Sequence, residues 1–257
     1  MSNDTTLTIC DYVATVEIHR PPDNYFDYEL IREIADMYAR LDDDASCRVI
    51  VLCSEGKHFC AGANFRSRES WGPEQLDQQA RQVYLEAVRI FSGRKPVVAA
   101  VHGAAIGGGL GLALSADFRV TCRQARFSAN FARLGIHQGF GISITLPRLV
   151  GATQASLLLF TGRRIKGDEA VAMGLADELA DLSEVRTRAH ALAREIAASA
   201  PLAVQSIRAT QRAGLADEIA RITAHELAEQ SRLRLSDDFK EGIAAMAERR
   251  TPDFHGR

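Results

Sequence analysis

The chain has 257 residues, of which 46% are hydrophobic and 25% charged, with a formal net charge of -2. That is enough chain for one large domain with an appendage, in proportions ordinary for a globular protein. The near-neutral balance provides no basic field for nucleic acid or an anionic membrane surface, and no uninterrupted apolar run approaches the roughly 20 residues of a bilayer span. Five cysteines without a CxxC pair point to reduced thiols rather than a disulfide framework or a metal site. The opening MSNDTTLTICDYVATV lacks a basic region followed by an apolar core, so a cytoplasmic protein is expected.

In chain order, LTICDYVATVEIHR (7–20) alternates and is rich in β-branched residues, predicting two short strands that turn near Asp11. Pro21 and Pro22 end them. Leu30, Ile34, Met37 and Leu41 recur at helical spacing, which predicts a helix over 27–41, closed by acidic residues that suit a helix C-terminus poorly. CRVIVLCS (47–54) reads as a buried strand, EGKHFCAGANF as a glycine-containing loop, 66–73 as a polar irregular segment and 74–91 as a long helix. KPVVAAV is a second buried strand, followed by the loop HGAAIGGG, a short helix over 110–115 and the strand DFRVTC. A short strand and loop fill 126–141, and a helix broken at Gly151 covers 143–159. TGRRIKGDEAVAMGLADELA reads as loop, short helix and strand, and from Glu184 the chain is helical with breaks at Pro201, Gly214 and near Ser236. Strands alternating with helices and then a helical tail predict an α/β protein.

Two loops share one plan. Each follows a buried strand and combines small residues with glycine: Phe59 to Asn64 in the first, Gly103 to Gly109 in the second. The second feeds a helix start, where main-chain N–H groups lack partners and the helix dipole is positive. Amides from the two loops converging on one oxygen would stabilise charge developing on a carbonyl. The same glycines also suit close packing of helix on strand. Neither a dinucleotide fingerprint, a phosphate-binding P-loop nor a G-x-S-x-G nucleophile motif is present.

With HFCAGANF, KPVVAAVHGAAIGGG, ADFRV, ARF, LPRLVG, LLLFTGRRIKGDEAVAMGLAD and SDDFKEGIAAMAERRTPDF in this order, the chain resembles the crotonase superfamily, the enoyl-CoA hydratase/isomerase group, over nearly its whole length. The resemblance implies a spiral of ββα units over 1–195 and a C-terminal helical trimerisation region over 196–257. It also implies trimers, often paired into hexamers, and acyl-CoA thioester ligands with coenzyme A as part of the substrate and no metal or separate cofactor. The two amides that hold the thioester oxygen fall on Ala63 and Gly108. The positions around them, Ala61, Asn64, Phe65, Gly107, Gly111, Phe131 and Phe140, are expected to bind substrate.

The chain departs from that pattern at its acids. The two glutamates of typical hydratases would fall on Gly111 and Phe131, and the aspartate of some dehalogenases and dienoyl isomerases on Gly139. His137 and Tyr84 are the candidates to replace them. His58 reads as a surface residue, and Lys57, Arg66 and Arg68 as partners for coenzyme A phosphates or as plain solvated charges. Two functions follow: an acyl-CoA enzyme that isomerises, decarboxylates or hydrolyses its thioester through a backbone-held oxyanion, or a homologue that binds acyl-CoA without chemistry.

Overall fold

The computed structural model describes residues 4–65 and 71–257; Arg66 and Arg68 lie outside the described residues. Strands β1 (Thr5–Cys10) and β2 (Val13–Ile18) form an antiparallel hairpin in which Cys10 faces Val13. Asp11 and Tyr12 between them both take positive φ, 50° and 62°, the two-residue turn whose twist matches the strands it joins. Helix α1 (Tyr28–Asp42) starts on Asp27, whose carboxylate accepts from the Leu30 amide at 3.0 Å. Its acidic end has a tertiary cause: the Asp42 carboxylate accepts from the amides of Arg94 and Lys95 at 2.9 and 3.1 Å, anchoring the next strand's entry.

β3 (Val49–Ser54), α2 (Pro73–Ser92), β4 (Val97–Val101), β5 (Ala104–Ile106), α3 (Gly108–Ser115), β6 (Phe118–Cys122) and β7 (Arg126–Ser128) follow. After a 3-10 turn over Asn130–Leu134 come α4 (Ile142–Thr161), β8 (Ile165–Lys166), α5 (Gly167–Ala172) and β9 (Glu178–Ala180). One sheet runs β1-β2-β3-β4-β6-β9, parallel except for the first pair, and a second runs β5-β7-β8. The chain leaves β4 for β5, and β6 for β7, within a few residues, so each strand pair contributes one member to each sheet. This repeat is the ββα spiral. The central strands β3 and β4 read as unbroken apolar runs because both faces are covered; every residue of both is buried.

Gly151 interrupts α4 at φ 78°, ψ 159°, where the sequence places a break. By length and composition alone α4 is apolar enough to cross a membrane; a search for unbroken apolar runs passes over it because Arg148 and Gln154 stand inside. Ile142, Leu146, Ala155 and Leu158 on α4 are buried in the core.

The tail comprises α6 (Val185–Ala197), α7 (Pro201–Gln211), α8 (Leu215–Leu233) and α9 (Asp237–Glu248). The boundary expected after residue 195 falls in the last turn of α6, which packs on β3, β4 and β6. α7 is tied down at Asp117, whose carboxylate accepts from Arg208 at 2.8 Å and Arg212 at 2.7 Å. α8 lies along α2, and α9 against the 3-10 turn. The tail therefore covers this chain's own core.

Candidate active site

The two glycine loops are stitched together by main chain. The Cys60 amide donates to the Ala104 carbonyl at 2.9 Å, and the Ile106 amide returns to the Cys60 carbonyl at 3.1 Å. Gly62 takes φ +85° and passes so close to the second loop that a Cβ there would stand 2.7 Å from the Ile106 oxygen and 3.8 Å from the Gly108 nitrogen. Ala63 forms a parallel bridge with Phe26, in which the Phe26 amide donates to the Gly62 carbonyl at 3.0 Å. That pattern directs the Ala63 amide away from Phe26.

The second loop turns at Gly107, with φ 56° and ψ -122°, and its amide is taken by the Ser128 carbonyl at 2.9 Å. The first α3 hydrogen bond runs from Gly111 back to Gly107, so the Gly108 and Gly109 amides lie in the opening turn without intrahelical acceptors. The next two glycines are fixed by space. A Cβ on Gly108 would stand 2.3 Å from the Phe26 ring, and one on Gly109 2.1 Å from the Cys60 oxygen.

Both loops line a cavity of about 550 Å³. A neighbouring cavity of about 650 Å³ shares His58, Ala104 and Arg126 with it but contains neither Ala63 nor Gly108, so the cavity lined by both loops is the candidate site. Ala61, Ala63, Asn64, Phe65, Gly107, Gly108, Phe131, Phe140 and Tyr84 all reach its lining. Gly111 does not: the Phe140 side chain covers it, 2.6 Å from where a Cβ would be. His137 does not either. Its Nδ1 lies 2.8 Å from the Gln138 carbonyl and its ring meets His225 edge-on, so only its main chain turns toward the cavity side, where the His137 carbonyl accepts from Gln230 at 3.0 Å. Lys57 lines the other cavity. His58 is a wall between the two rather than a free surface group: its Nδ1 accepts from the Ala104 amide at 3.3 Å, and burial lowers its pKa against the pull of Asp23.

Opposite the glycine loops stands a wall from α2 and α8. The Tyr84 hydroxyl donates to Gln230 Oε1 at 2.9 Å. Burial, then the nearby Glu226 carboxylate, push the Tyr84 pKa up, so the phenol stays protonated. Arg234 donates to the same Gln230 oxygen at 3.0 Å and pairs with Asp77. Glu226, fully buried, accepts from the Gly141 amide at 2.9 Å and from the Ser143 hydroxyl at 2.6 Å, capping α4. Burial raises its pKa, opposed by those hydrogen bonds. The Cys60 thiol beneath the loops is pushed up to about 12 by burial and is inert as a nucleophile.

The sequence profile of the enoyl-CoA hydratase/isomerase family matches residues 8–257. The chain belongs to this family. It is 34% identical over 259 residues to a probable enoyl-CoA hydratase of Bacillus subtilis, covering 99% of each. It is 32% identical over 262 residues to the carnitinyl-CoA dehydratase of Proteus mirabilis, covering all of both. An enoyl-CoA hydratase/isomerase from Pseudoalteromonas atlantica superposes with a TM-score of 0.87 at 28% identity, over 98% of this chain and all of that one. The mixed α/β core and helical C-terminal region are those of the crotonase fold.

Gly111 lies under Phe140, Phe131 lines the cavity, and a Cβ on Gly139 would stand 1.9 Å from the Tyr84 hydroxyl. The tail residues Gln230 and Arg234 are not among the site residues read from the sequence. Their signal was present: Glu226, Gln230 and Arg234 recur every four residues, a polar stripe on one face of α8.

Proposed function

We propose that this family member is an acyl-CoA enzyme in which the amides of Ala63 and Gly108 hold a thioester carbonyl and stabilise the enolate or oxyanion formed from it. What supports the reading is that Ala63 and Gly108, one from each glycine loop, line the same cavity, with Gly108 in the first turn of α3. Donors fixed in advance toward a developing charge pay no reorganisation cost at the moment of reaction. With Gly111, Phe131 and Gly139 in place of carboxylates, water activation by a glutamate pair is absent from the scheme. Losing one positioned acid or base removes about 10²–10⁴-fold in rate. Reactions that need little base fit best: loss of carbon dioxide from a malonyl-type thioester generates the enolate directly. Isomerisation or thioester hydrolysis would have to draw on Tyr84, the phenol of the opposite wall. Coenzyme A enters only as part of the substrate, with no separate cofactor or metal.

The proposal includes a cytoplasmic homo-oligomer, a trimer or hexamer. Phe160 on α4 and Leu202 on α7, at 79% and 80% exposure, are apolar surface that a second copy would cover. Light scattering reads this directly; a monomer across the micromolar range would remove it.

Turnover of enoyl-, malonyl- and aryl-CoA thioesters tests the chemistry, with product formation from at least one expected. A second reading, binding without catalysis, is favoured by the filled spaces at Gly111 and Gly139. It predicts binding of all three without turnover, and indifference of any residual rate to Tyr84→Phe.

A further inference from the structure

We infer that the α2–α8 wall receives an anionic group on the acyl chain, making thioesters of dicarboxylic acids the substrate class. The inference rests on the acyl-CoA reading above. A chain of contacts leads from the amide pair to this wall. Phe140 packs edge-on against Phe26 at 5.9 Å between centroids and covers Gly111, and the adjacent Gly139 abuts Tyr84 and Gln230. Arg234 follows one helical turn beyond Gln230 and also lines the cavity.

The Arg234–Asp77 pair is asymmetric. The arginine side chain is 8% exposed and the aspartate 34%, so the cation lies inside and its partner toward solvent. Among the described residues lining the cavity the only carboxylate is Asp23, beside His58 on the glycine-loop side. Glu226 does not line the cavity, and its oxygens are held by Gly141 and Ser143. Gln230 is oriented by its own bonds: Oε1 accepts from Tyr84 and Arg234, and Nε2 spends one hydrogen on the His137 carbonyl. The second Nε2 hydrogen and the remaining guanidinium hydrogens are donors without a carboxylate of their own inside the cavity. A buried cation held by an outer partner, next to a fixed amide donor, suits an oxyanion and leaves an apolar chain end unrewarded.

Titration calorimetry on the intact protein with coenzyme A, butyryl-CoA and succinyl-CoA tests this. The two thioesters differ at the chain end, methyl against carboxylate. Succinyl-CoA is expected to bind roughly 10–100-fold tighter than butyryl-CoA, the range of a charge-assisted hydrogen bond. That ratio should fall toward one in Arg234→Met and recover in part in Arg234→Lys, with thermal midpoints showing that each variant is folded. Equal affinities in the unaltered protein, or an unchanged ratio in Arg234→Met, would overturn the inference while leaving the acyl-CoA reading intact. If neither thioester binds more tightly than coenzyme A, the acyl-CoA reading fails as well.

Discussion

The two walls of the cavity are built from different materials. The glycine-loop wall is main chain: amides of Ala63 and Gly108 set by a parallel bridge, a positive-φ turn and contacts with no side-chain alternative. The α2–α8 wall is side chain: Tyr84, Gln230 and Arg234 hold one another, and Gln230 lies 146 residues from Tyr84 in sequence. Main-chain donors cannot be altered by point substitution, only displaced. Side-chain donors can be exchanged singly. On the function proposed here, the first wall holds the carbonyl and the second selects the acyl group.

The largest break in this comparison should come from Asp117, which holds α7 and with it the path of the tail to α8. Asp117→Ala leaves Arg208 and Arg212 buried without their carboxylate and is expected to cost about 3–5 kcal/mol in urea unfolding. Hydrogen exchange should rise first in α7, α8 and the Val97 amide, which donates to Asp117 at 2.8 Å, while β3 stays protected. Equal loosening everywhere would mean that the side-chain wall has no separate anchor.

Gly109→Ala attacks the other wall. Its Cβ would press on the Cys60 carbonyl, which cannot yield without parting the loops. A loss of about 1–3 kcal/mol is expected from overpacking, with turnover down about 10²-fold as the amides shift. Unchanged turnover would show that the loops tolerate displacement.

Tyr84→Phe is gentler. It removes one donor to Gln230, which keeps Arg234, and should cost about 1 kcal/mol of stability. A much larger loss would make Tyr84 the organiser of its wall.

The smallest effect lies in acid. Burial by itself would raise the Asp117 pKa, but Arg208 and Arg212 outweigh it and hold the value below the ordinary 3.8. A depressed carboxylate stabilises fully above its unfolded-state pKa and loses that contribution as pH falls through the folded value. The urea midpoints of the unaltered protein and Asp117→Asn should therefore converge as pH is lowered below 3.8.

Sequence legibility followed the same division. The glycine loops were readable because glycine is spent only where backbone needs room or unusual angles, and here both demands meet at 107–109. The central strands β3 and β4 were readable from unbroken apolar runs, the β1–β2 hairpin from alternation, and the α4 break from Gly151. Spacing along a loop does not say which way a ring turns: the His137 ring meets His225 of α8 edge-on and is not on the cavity lining. His58 looked like surface because its partner, the Ala104 amide, belongs to the other loop. Arg234 was invisible as a cavity residue because its burial depends on how α8 lies along α2, a pairing absent from local pattern.

A crystal structure with a non-reactive acyl-CoA thioether or thioester bound would test the central claim most directly. The thioester oxygen is predicted about 3 Å from both the Ala63 and Gly108 nitrogens, with the acyl chain running toward Tyr84 and Gln230. A thioester oxygen turned to solvent or to the α2–α8 wall, with either amide bonded elsewhere, would contradict it.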